Sequence, residues 1–277
     1  KFIFFKPMKC AGSSIELALI PHCGDKDIIT GSGYEAELIE SNFLYTPKNN
    51  LVIINEIASD GSTINAVEPI YHTHTTPMVL REKHADYNKI ADYYHFSIVR
   101  NPFDALISYF WWSFYGPNIA KLSIITGKNG ESQMAIMGRH TKPKYEYSFG
   151  KVIMPMMHDS DTVLRLKFQQ FLESKADFSE SDRIGNEKNS DSVLDWFAKL
   201  QWDFCGEHID NILTFETLTQ DVMNVCDTLG INIDTIPKLK SSQRKVDKPY
   251  DIYYNDYTKD MTHEAFDNII KKFNYTF

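Results

Sequence analysis

The chain has 277 residues, of which 43% are hydrophobic and 24% charged, a composition typical of a globular protein with enough apolar material for a large core. Its formal net charge of −8 argues against nucleic acid as the main partner, because a polyanion calls for a basic surface. No apolar run approaches the roughly 20 residues of a membrane-spanning helix, and the four cysteines form no CxxC pair. These features predict a soluble, cytoplasmic protein without a zinc site. They also predict that any anion is bound by a local site and not by an extended basic surface.

Strands and helices alternate along the first part of the chain. Phe2 to Phe5 form a short apolar run typical of a buried strand, and Ile15 to Ile20 have helical composition, with a tight loop between them. A second unit of this kind begins with the strand pattern of Tyr94 to Val99. Asn101 suits the N-cap of the helix that follows, and Pro102 suits its first position.

The second half of the chain continues the alternation. A third strand is predicted at Asn211 to Phe215, followed by apolar positions at helical spacing up to Leu229. Phe266 to Phe273 give a last amphipathic helix. The remaining segments predict an irregular, polar insertion at about 31–69 and a helical insertion at about 117–192.

The fold class that this order predicts is α/β, with a P-loop-like parallel β-sheet flanked by helices. We expect residues 1–277 to form a single domain that carries the two insertions. The chain starts directly on its first predicted strand, which is compatible with further residues upstream of Lys1.

The loop after the first strand has the features of an anion site. Gly12, Ser13 and Ser14 stand where a helix should begin, and the N–H groups and dipole of a helix N-terminus attract anions. Lys9 adds a positive charge. The same residues also suit a turn and a helix cap, so the pattern alone leaves both interpretations open. A Walker A loop places its lysine directly after the last glycine, whereas Lys9 precedes Gly12, and this disfavours a phosphotransferase.

A second anion site is predicted where the second strand ends. Arg100 stands at the end of that strand and Ser108 on the next helix, so both could reach one phosphate. The run RNPFDALISYF from Arg100 resembles the 3′-phosphate motif of the sulfotransferase superfamily, R-[ND]-P-x-[DE]-R-x-x-S-x-[YF]. Ala105 is the departure, because the family commonly has a basic residue there. The loop MKCAGSS from Met8 is similar to the family's 5′-phosphosulfate loop, P-K-T-A-G-T-S, with methionine in place of proline.

The resemblance extends to Phe215–Leu218, which is similar to the family's f-E-x-L segment, and it is strongest to bacterial members of the carbohydrate-sulfotransferase-like branch. It implies transfer of a sulfuryl group from 3′-phosphoadenosine-5′-phosphosulfate (PAPS) to a hydroxyl or amine, with 3′,5′-adenosine bisphosphate (PAP) as product and no metal. The implied acceptor is a small molecule, a glycan or a lipid. The implied nucleotide-binding residues are Lys9, Cys10, Ala11, Gly12, Ser13, Ser14, Arg100, Ser108, Ser242, Arg244 and Lys245.

The resemblance places Lys9 near the bridging oxygen of the donor. Three further residues are candidates for the base that takes the acceptor's proton. His74 aligns best with a histidine of similar bacterial members and would take the acceptor's proton, with His72 as the second choice. Glu16 is the carboxylate alternative. A histidine on a short strand is also often purely structural, and the H-x-H pattern also occurs in metal sites, although no third ligand is evident.

Other interpretations stay open at this point. A phosphotransferase would share the strand-loop-helix cradle but need magnesium, and a non-catalytic nucleotide-binding module would explain the departures at Met8 and Ala105. The basic stretch that contains Ser242, Arg244 and Lys245 is either a nucleotide-binding loop or a solvated surface. The aromatic residues from Phe110 to Tyr115 should be mostly core, with one facing an acceptor pocket or a homo-oligomer contact.

Overall fold

The structure is a computed structural model, and it describes residues 1–30, 49–57, 63–115, 120–126, 132–139, 158–174, 192–206, 209, 211–238 and 248–277. The chain divides into two compact units. The first unit comprises Lys1–His22, His74–Gly116 and Lys144–Phe277, and the second comprises Cys23–Thr73 and Pro117–Pro143. The single-domain organisation stays a prediction.

The strands, in chain order, are β1 (Phe2–Phe4), β2 (Leu51–Ile57), β3 (Thr63–Pro69), β4 (Tyr94–Val99), β5 (Ala120–Thr126), β6 (Ser132–Arg139) and β7 (Asn211–Thr214). The helices are α1 (Gly12–Leu19), α2 (Pro77–Lys83), α3 (Pro102–Tyr115), α4 (Asp161–Glu173), α5 (Val193–Cys205), α6 (Leu218–Leu229), α7 (Asp256–Ala265) and α8 (Asp267–Phe273). Short 3-10 turns lie at Ile20–His22, Tyr87–Lys89, Phe215–Thr217 and Tyr250–Tyr253.

A three-stranded parallel sheet organises the first unit. The strand order is β1-β4-β7, with Phe4 opposite Phe96 and Val99 opposite Thr214. Helices flank this sheet, so the α/β prediction is confirmed. The central strand β4 is buried from His95 to Val99, which explains why its sequence is an almost continuous run without charge.

Side chains of β4 alternate between two cores. Phe96 and Ile98 pack with Ile15 of α1 and Val222 of α6 in one cluster. Val99 belongs to the other cluster, together with residues of α3, α4 and α5. Because successive side chains of a strand point to opposite faces, the short sheet is covered by helices on both sides.

The start of α3 follows the sequence prediction closely. The side chain of Asn101 accepts a hydrogen bond from the Phe103 amide at 3.1 Å, and its carbonyl accepts one from Ala105 at 2.9 Å. Asn101 is therefore the N-cap, and Pro102 is the first helical residue. Ala105 is only 1% exposed and lies in the apolar core, so a basic side chain at this position would have to enter that core.

The second unit contains an antiparallel sheet that the sequence analysis did not predict. The order is β2-β3-β5-β6, with Leu51 opposite Pro69 in the first hairpin. The predicted irregular segment is therefore wrong over the residues of β2 and β3. The predicted helical insertion is wrong over β5 and β6, whereas α4 is a helix within its range.

The physical reason lies in the period of the pattern. In the sequence of β5, the apolar residues Leu122 and Ile124 alternate with the polar residues Lys121 and Ser123, which is the two-residue period of a strand. Because lysine and serine stand between the apolar residues of this segment, the strand period was not recognised in the sequence. In the part of the chain that the structure describes, no helix is long and apolar enough to span a bilayer.

Candidate functional site

Three strand ends meet at one edge of the parallel sheet. Because β1, β4 and β7 run in the same direction, the segments that follow them lie at the same edge, where α/β proteins bind ligands. These segments hold Lys9, Arg100 and Phe215. The Nη1 of Arg100 donates a hydrogen bond to the Lys9 carbonyl at 2.7 Å, and Cζ of Arg100 lies 4.0 Å from the centroid of the Phe215 ring. The two anion motifs predicted from sequence thus converge.

The loop between β1 and α1 is shaped by two residues with left-handed backbone. Lys9 has a φ of 63° and Ala11 a φ of 57°, both uncommon for residues other than glycine. Ala11 is the N-cap of α1 and has no side-chain hydrogen bond to the helix, although its carbonyl accepts bonds from the amides of Ser14 and Ile15. The N-cap residue therefore offers no acceptor side chain to the amides of the first turn, which suits an anion at the N-terminus of the helix.

A glycine is needed at position 12 because the side chain of Lys6 packs closely against its Cα, and not because of its backbone angles. A Cβ atom at this position would overlap the Cγ of Lys6. Lys6 is 6% exposed, and its Nζ lies 2.6 Å from the Oε2 of Glu16. This buried ion pair ties the loop to α1, and it engages the carboxylate that sequence reasoning kept as an alternative base. No local pattern in the sequence singles out Lys6.

Cys10 faces the core beneath the loop. Its side chain is fully buried, with Sγ 3.4 Å from the Met8 carbonyl and 3.5 Å from the Oε1 of Gln201. The Nε2 of Gln201 also donates to the Met8 carbonyl at 3.0 Å. Burial raises the pKa of the Cys10 thiol to about 12, so the thiol stays neutral and unreactive at ordinary pH. Only the backbone of Cys10 could face a ligand, and its side chain supports the loop.

Arg100 is held on several sides. Its Nε donates to the Oδ2 of Asp104 at 2.9 Å, and its Nη2 donates to the same oxygen. Together with the bond to Lys9, these contacts use three of the five N–H donors of a guanidinium. Ser108 lies one helical turn beyond Asp104 and is partly exposed. Arg100 and Ser108 therefore share the edge of the site that α3 provides.

One of the α3 aromatic residues lies beside Lys9. Phe110 and Trp111 are fully buried, as the sequence predicted, whereas Trp112 is partly exposed. The Nζ of Lys9 lies 5.2 Å from the Trp112 ring centroid, within the range of a cation–π interaction. Trp112 in turn stacks on Tyr109 with ring centroids 5.9 Å apart. The ammonium group is thus held near the surface by an aromatic ring.

His74 lies in the turn before α2 and contacts the loop between β1 and α1. Its Nδ1 lies 2.7 Å from the Lys6 carbonyl. A carbonyl can only accept, so Nδ1 carries the proton, and in the neutral ring Nε2 is the nitrogen with a lone pair. This is the tautomer that proton abstraction through Nε2 requires.

His72 and His74 do not lie on a short strand, the setting in which a structural role was considered for them. Both lie in the turn before α2, which Thr76 caps by accepting a bond from the Val79 amide at 3.3 Å. The cap and Pro77 at the first helical position explain why the segment enters a helix. His74 belongs to the first unit and His72 to the second.

The predicted basic loop lies largely outside the described residues, including Ser242, Arg244 and Lys245. Lys248, at its end, pairs with the Oδ1 of Asp161 at 2.6 Å. Across the described ranges, no group of three or more His, Cys, Asp or Glu side chains is arranged to hold a metal ion.

Comparison of the sequence with models of known protein families gives a match. The model of the Sulfotransferase family matches residues 9–274. The chain belongs to the sulfotransferase family. The resemblance to the sulfotransferase superfamily is therefore confirmed. Neither the curated proteins nor the solved structures gave a match.

Family membership identifies this sulfotransferase as a transferase of sulfuryl groups. The parallel sheet, with its helices on both faces, is consistent with that family. The comparison therefore sets the reaction class and leaves the donor and acceptor to be argued from the site.

Proposed function

We propose that the chain transfers a sulfuryl group from PAPS to a hydroxyl or amine of a small-molecule, glycan or lipid acceptor. The observation that carries this proposal is the 2.7 Å hydrogen bond from Arg100 to the Lys9 carbonyl. It joins the segment that resembles a 5′-phosphosulfate loop to the segment that resembles a 3′-phosphate motif. A ligand with anionic groups at two ends suits such an arrangement.

The residues present suit the two anionic ends of PAPS. The N-terminus of α1, preceded by left-handed Lys9 and Ala11, would hold the 5′-phosphosulfate. The N–H donors of Arg100 that are not used by Lys9 and Asp104 would hold the 3′-phosphate together with the Ser108 hydroxyl. We propose a nucleotide contact for Ser242, Arg244 and Lys245 as well, on the resemblance alone.

Each proposed catalytic residue has one task. Sulfuryl transfer breaks the S–O bond to the 5′-phosphate and forms an S–O or S–N bond to the acceptor. Lys9 would stabilise the negative charge that grows on the leaving bridging oxygen. His74, protonated at Nδ1, would take the acceptor's proton at Nε2. His72 stays the second choice.

The acceptor is proposed only by class. The net charge of −8 disfavours a long, heavily sulfated polysaccharide, because such a polyanion needs an extended basic groove. Simple glycans, lipid head groups and small alcohols or amines fit this constraint. A cytoplasmic location and a homo-oligomer contact are further proposals that rest on the sequence.

The test of the proposed function is transfer of labelled sulfate from PAPS to a mixture of such acceptors in the presence of EDTA. We expect labelled product, with a mass gain of one sulfuryl group, at the same rate with and without the chelator. Strict dependence on magnesium would favour a phosphotransferase and contradict the mechanism. Binding of PAP without turnover of any acceptor would instead favour a non-catalytic module.

Nucleotide affinity should depend on the α3 edge of the site. We expect Arg100→Ala to raise the Kd for PAP about 10- to 100-fold, because a hydrogen bond to a charged group contributes about 1.5–3 kcal/mol. Ser108→Ala loses one weaker bond and should raise the Kd about threefold to tenfold. Titration calorimetry with PAP measures both.

Arg165→Ala is the matched control for Arg100→Ala. Like Arg100, Arg165 donates a hydrogen bond to a backbone carbonyl, that of Ile252. Arg165 lies on α4 and is not part of the proposed nucleotide site. It should leave the Kd unchanged. Equal losses of affinity in Arg100→Ala and Arg165→Ala would show a general loss of fold and contradict the assignment of Arg100.

A further inference from the structure

The last four residues of the chain, segment 274–277, lie against the residue that follows Arg100. The Nδ2 of Asn101 donates to the Thr276 carbonyl at 3.0 Å. The ring of Phe277 packs edge-on against Phe103, with centroids 4.9 Å apart. Segment 274–277 is thus docked on the start of α3, directly beside the proposed 3′-phosphate site.

A single carboxylate joins this segment to the site. The Oε1 of Glu216 accepts a hydrogen bond from the Asn101 amide at 2.8 Å, and its Oε2 accepts one from the Tyr275 hydroxyl at 2.9 Å. Burial, followed by the neighbouring Glu216, raises the pKa of Tyr275 well above its usual value. The phenol therefore stays protonated at ordinary pH and remains a donor to the carboxylate.

Glu216 also connects to the guanidinium of Arg100 through the residue before it. The Cζ of Arg100 lies over the ring of Phe215, 4.0 Å from the ring centroid. The 3-10 turn Phe215–Thr217 thus contacts Arg100 with one residue and the backbone of Asn101 with the next. A shift of this turn would displace both the side chain of Arg100 and the backbone that carries it.

We propose that Tyr275 and segment 274–277 are positioning elements for Arg100, acting through Glu216. Tyr275 fixes the Glu216 carboxylate, which holds the Asn101 amide and keeps Phe215 against the guanidinium. The docked segment thereby sets the direction in which Arg100 offers its N–H donors. This inference rests on the proposed function, because it concerns the affinity of the same site for a nucleotide phosphate.

A purely structural role would have a different signature. If segment 274–277 only stabilised the fold, removing the Tyr275 hydroxyl would lower the melting temperature and leave the nucleotide affinity of the folded protein unchanged. If it positions Arg100, the affinity of the folded protein falls, and the loss depends on the presence of Arg100.

The experiment compares Tyr275→Phe with Tyr257→Phe. The first keeps the ring and removes one hydrogen bond, whereas Tyr257 is 54% exposed on α7 and serves as the control. We expect Tyr275→Phe to raise the Kd for PAP about threefold to tenfold, the value of one hydrogen bond. Tyr257→Phe should match the wild type. Calorimetric titration gives the Kd, and thermal melting without nucleotide confirms that each variant is folded.

A double-mutant cycle with Arg100→Ala completes the test. When Arg100 is absent, Tyr275→Phe should change the Kd no further, because its effect passes through the guanidinium. An unchanged Kd in the single variant Tyr275→Phe overturns the inference and leaves the proposed function intact. An equal effect of Tyr275→Phe on the Kd in the wild type and in Arg100→Ala also overturns the inference and leaves the proposed function intact. Absence of any PAP affinity in the wild type defeats the proposed function and the inference with it.

Discussion

Replacing Lys9 by methionine is expected to lower the rate of sulfuryl transfer about 100- to 1,000-fold, the usual cost of losing one donor to a developing oxyanion. Lys9 lies in the loop between β1 and α1, and its ammonium group lies over the ring of Trp112 of α3. Methionine keeps most of the length of the side chain and removes the charge. The backbone carbonyl that accepts the bond from Arg100 is unaffected by the substitution.

Single-turnover measurements with saturating PAPS give this rate without a contribution from product release. Lys1→Met is the matched control, because the Lys1 ammonium also lies over an aromatic ring, that of Tyr93, at 5.3 Å. It should leave the rate unchanged. If Lys9→Met transfers sulfate as fast as the wild type, Lys9 does not stabilise the leaving oxygen and the mechanism is wrong.

The second large effect is expected at His74. His74→Ala should lower kcat about 100- to 10,000-fold, the range of a lost general base, and leave the Kd for PAP unchanged. The reason is geometric, because the bond from Nδ1 to the Lys6 carbonyl leaves Nε2 as the basic nitrogen of the neutral ring. The measurement is kcat with a fixed acceptor, together with a PAP titration of each variant.

His72→Ala tests the alternative within the same pair. We expect it to keep most of the activity, because the bond from Nδ1 to the Lys6 carbonyl orients His74 as the base. Loss of kcat in His72→Ala but not in His74→Ala would reverse the assignment. A loss of PAP affinity in His74→Ala as large as that in Arg100→Ala would mean that His74 holds the loop and is not the base.

The parts of the fold that could be predicted from sequence are those fixed by local rules. Apolar runs predicted the parallel strands, and the Asn101-Pro102 pair predicted the beginning of α3, because capping depends on neighbouring residues only. The convergence of Lys9 and Arg100 was also predictable, since parallel strands place the segments after them at one edge. The roles of the site residues stay predictions.

The contacts that the sequence analysis missed join distant parts of the chain. Glu216 meets Asn101 across 115 residues, and Gln201 meets Met8 across 193. Such pairs depend on the topology, which places the segments together, and on side-chain directions that no local pattern encodes. The buried pair of Lys6 and Glu16 was missed for a related reason, because Lys6 looks like an ordinary surface charge in the sequence and Glu16 was considered only as an alternative base.

The left-handed residues of the first loop have a consequence for how a ligand would be received. Lys9 and Ala11 hold backbone angles that a free chain rarely visits, and the packing of Cys10 and Gln201 beneath the loop supports them. The entropic cost of ordering this loop therefore falls on folding and not on association. A preorganised cradle of this kind can discriminate among anions by shape, since it has little freedom to adapt to them.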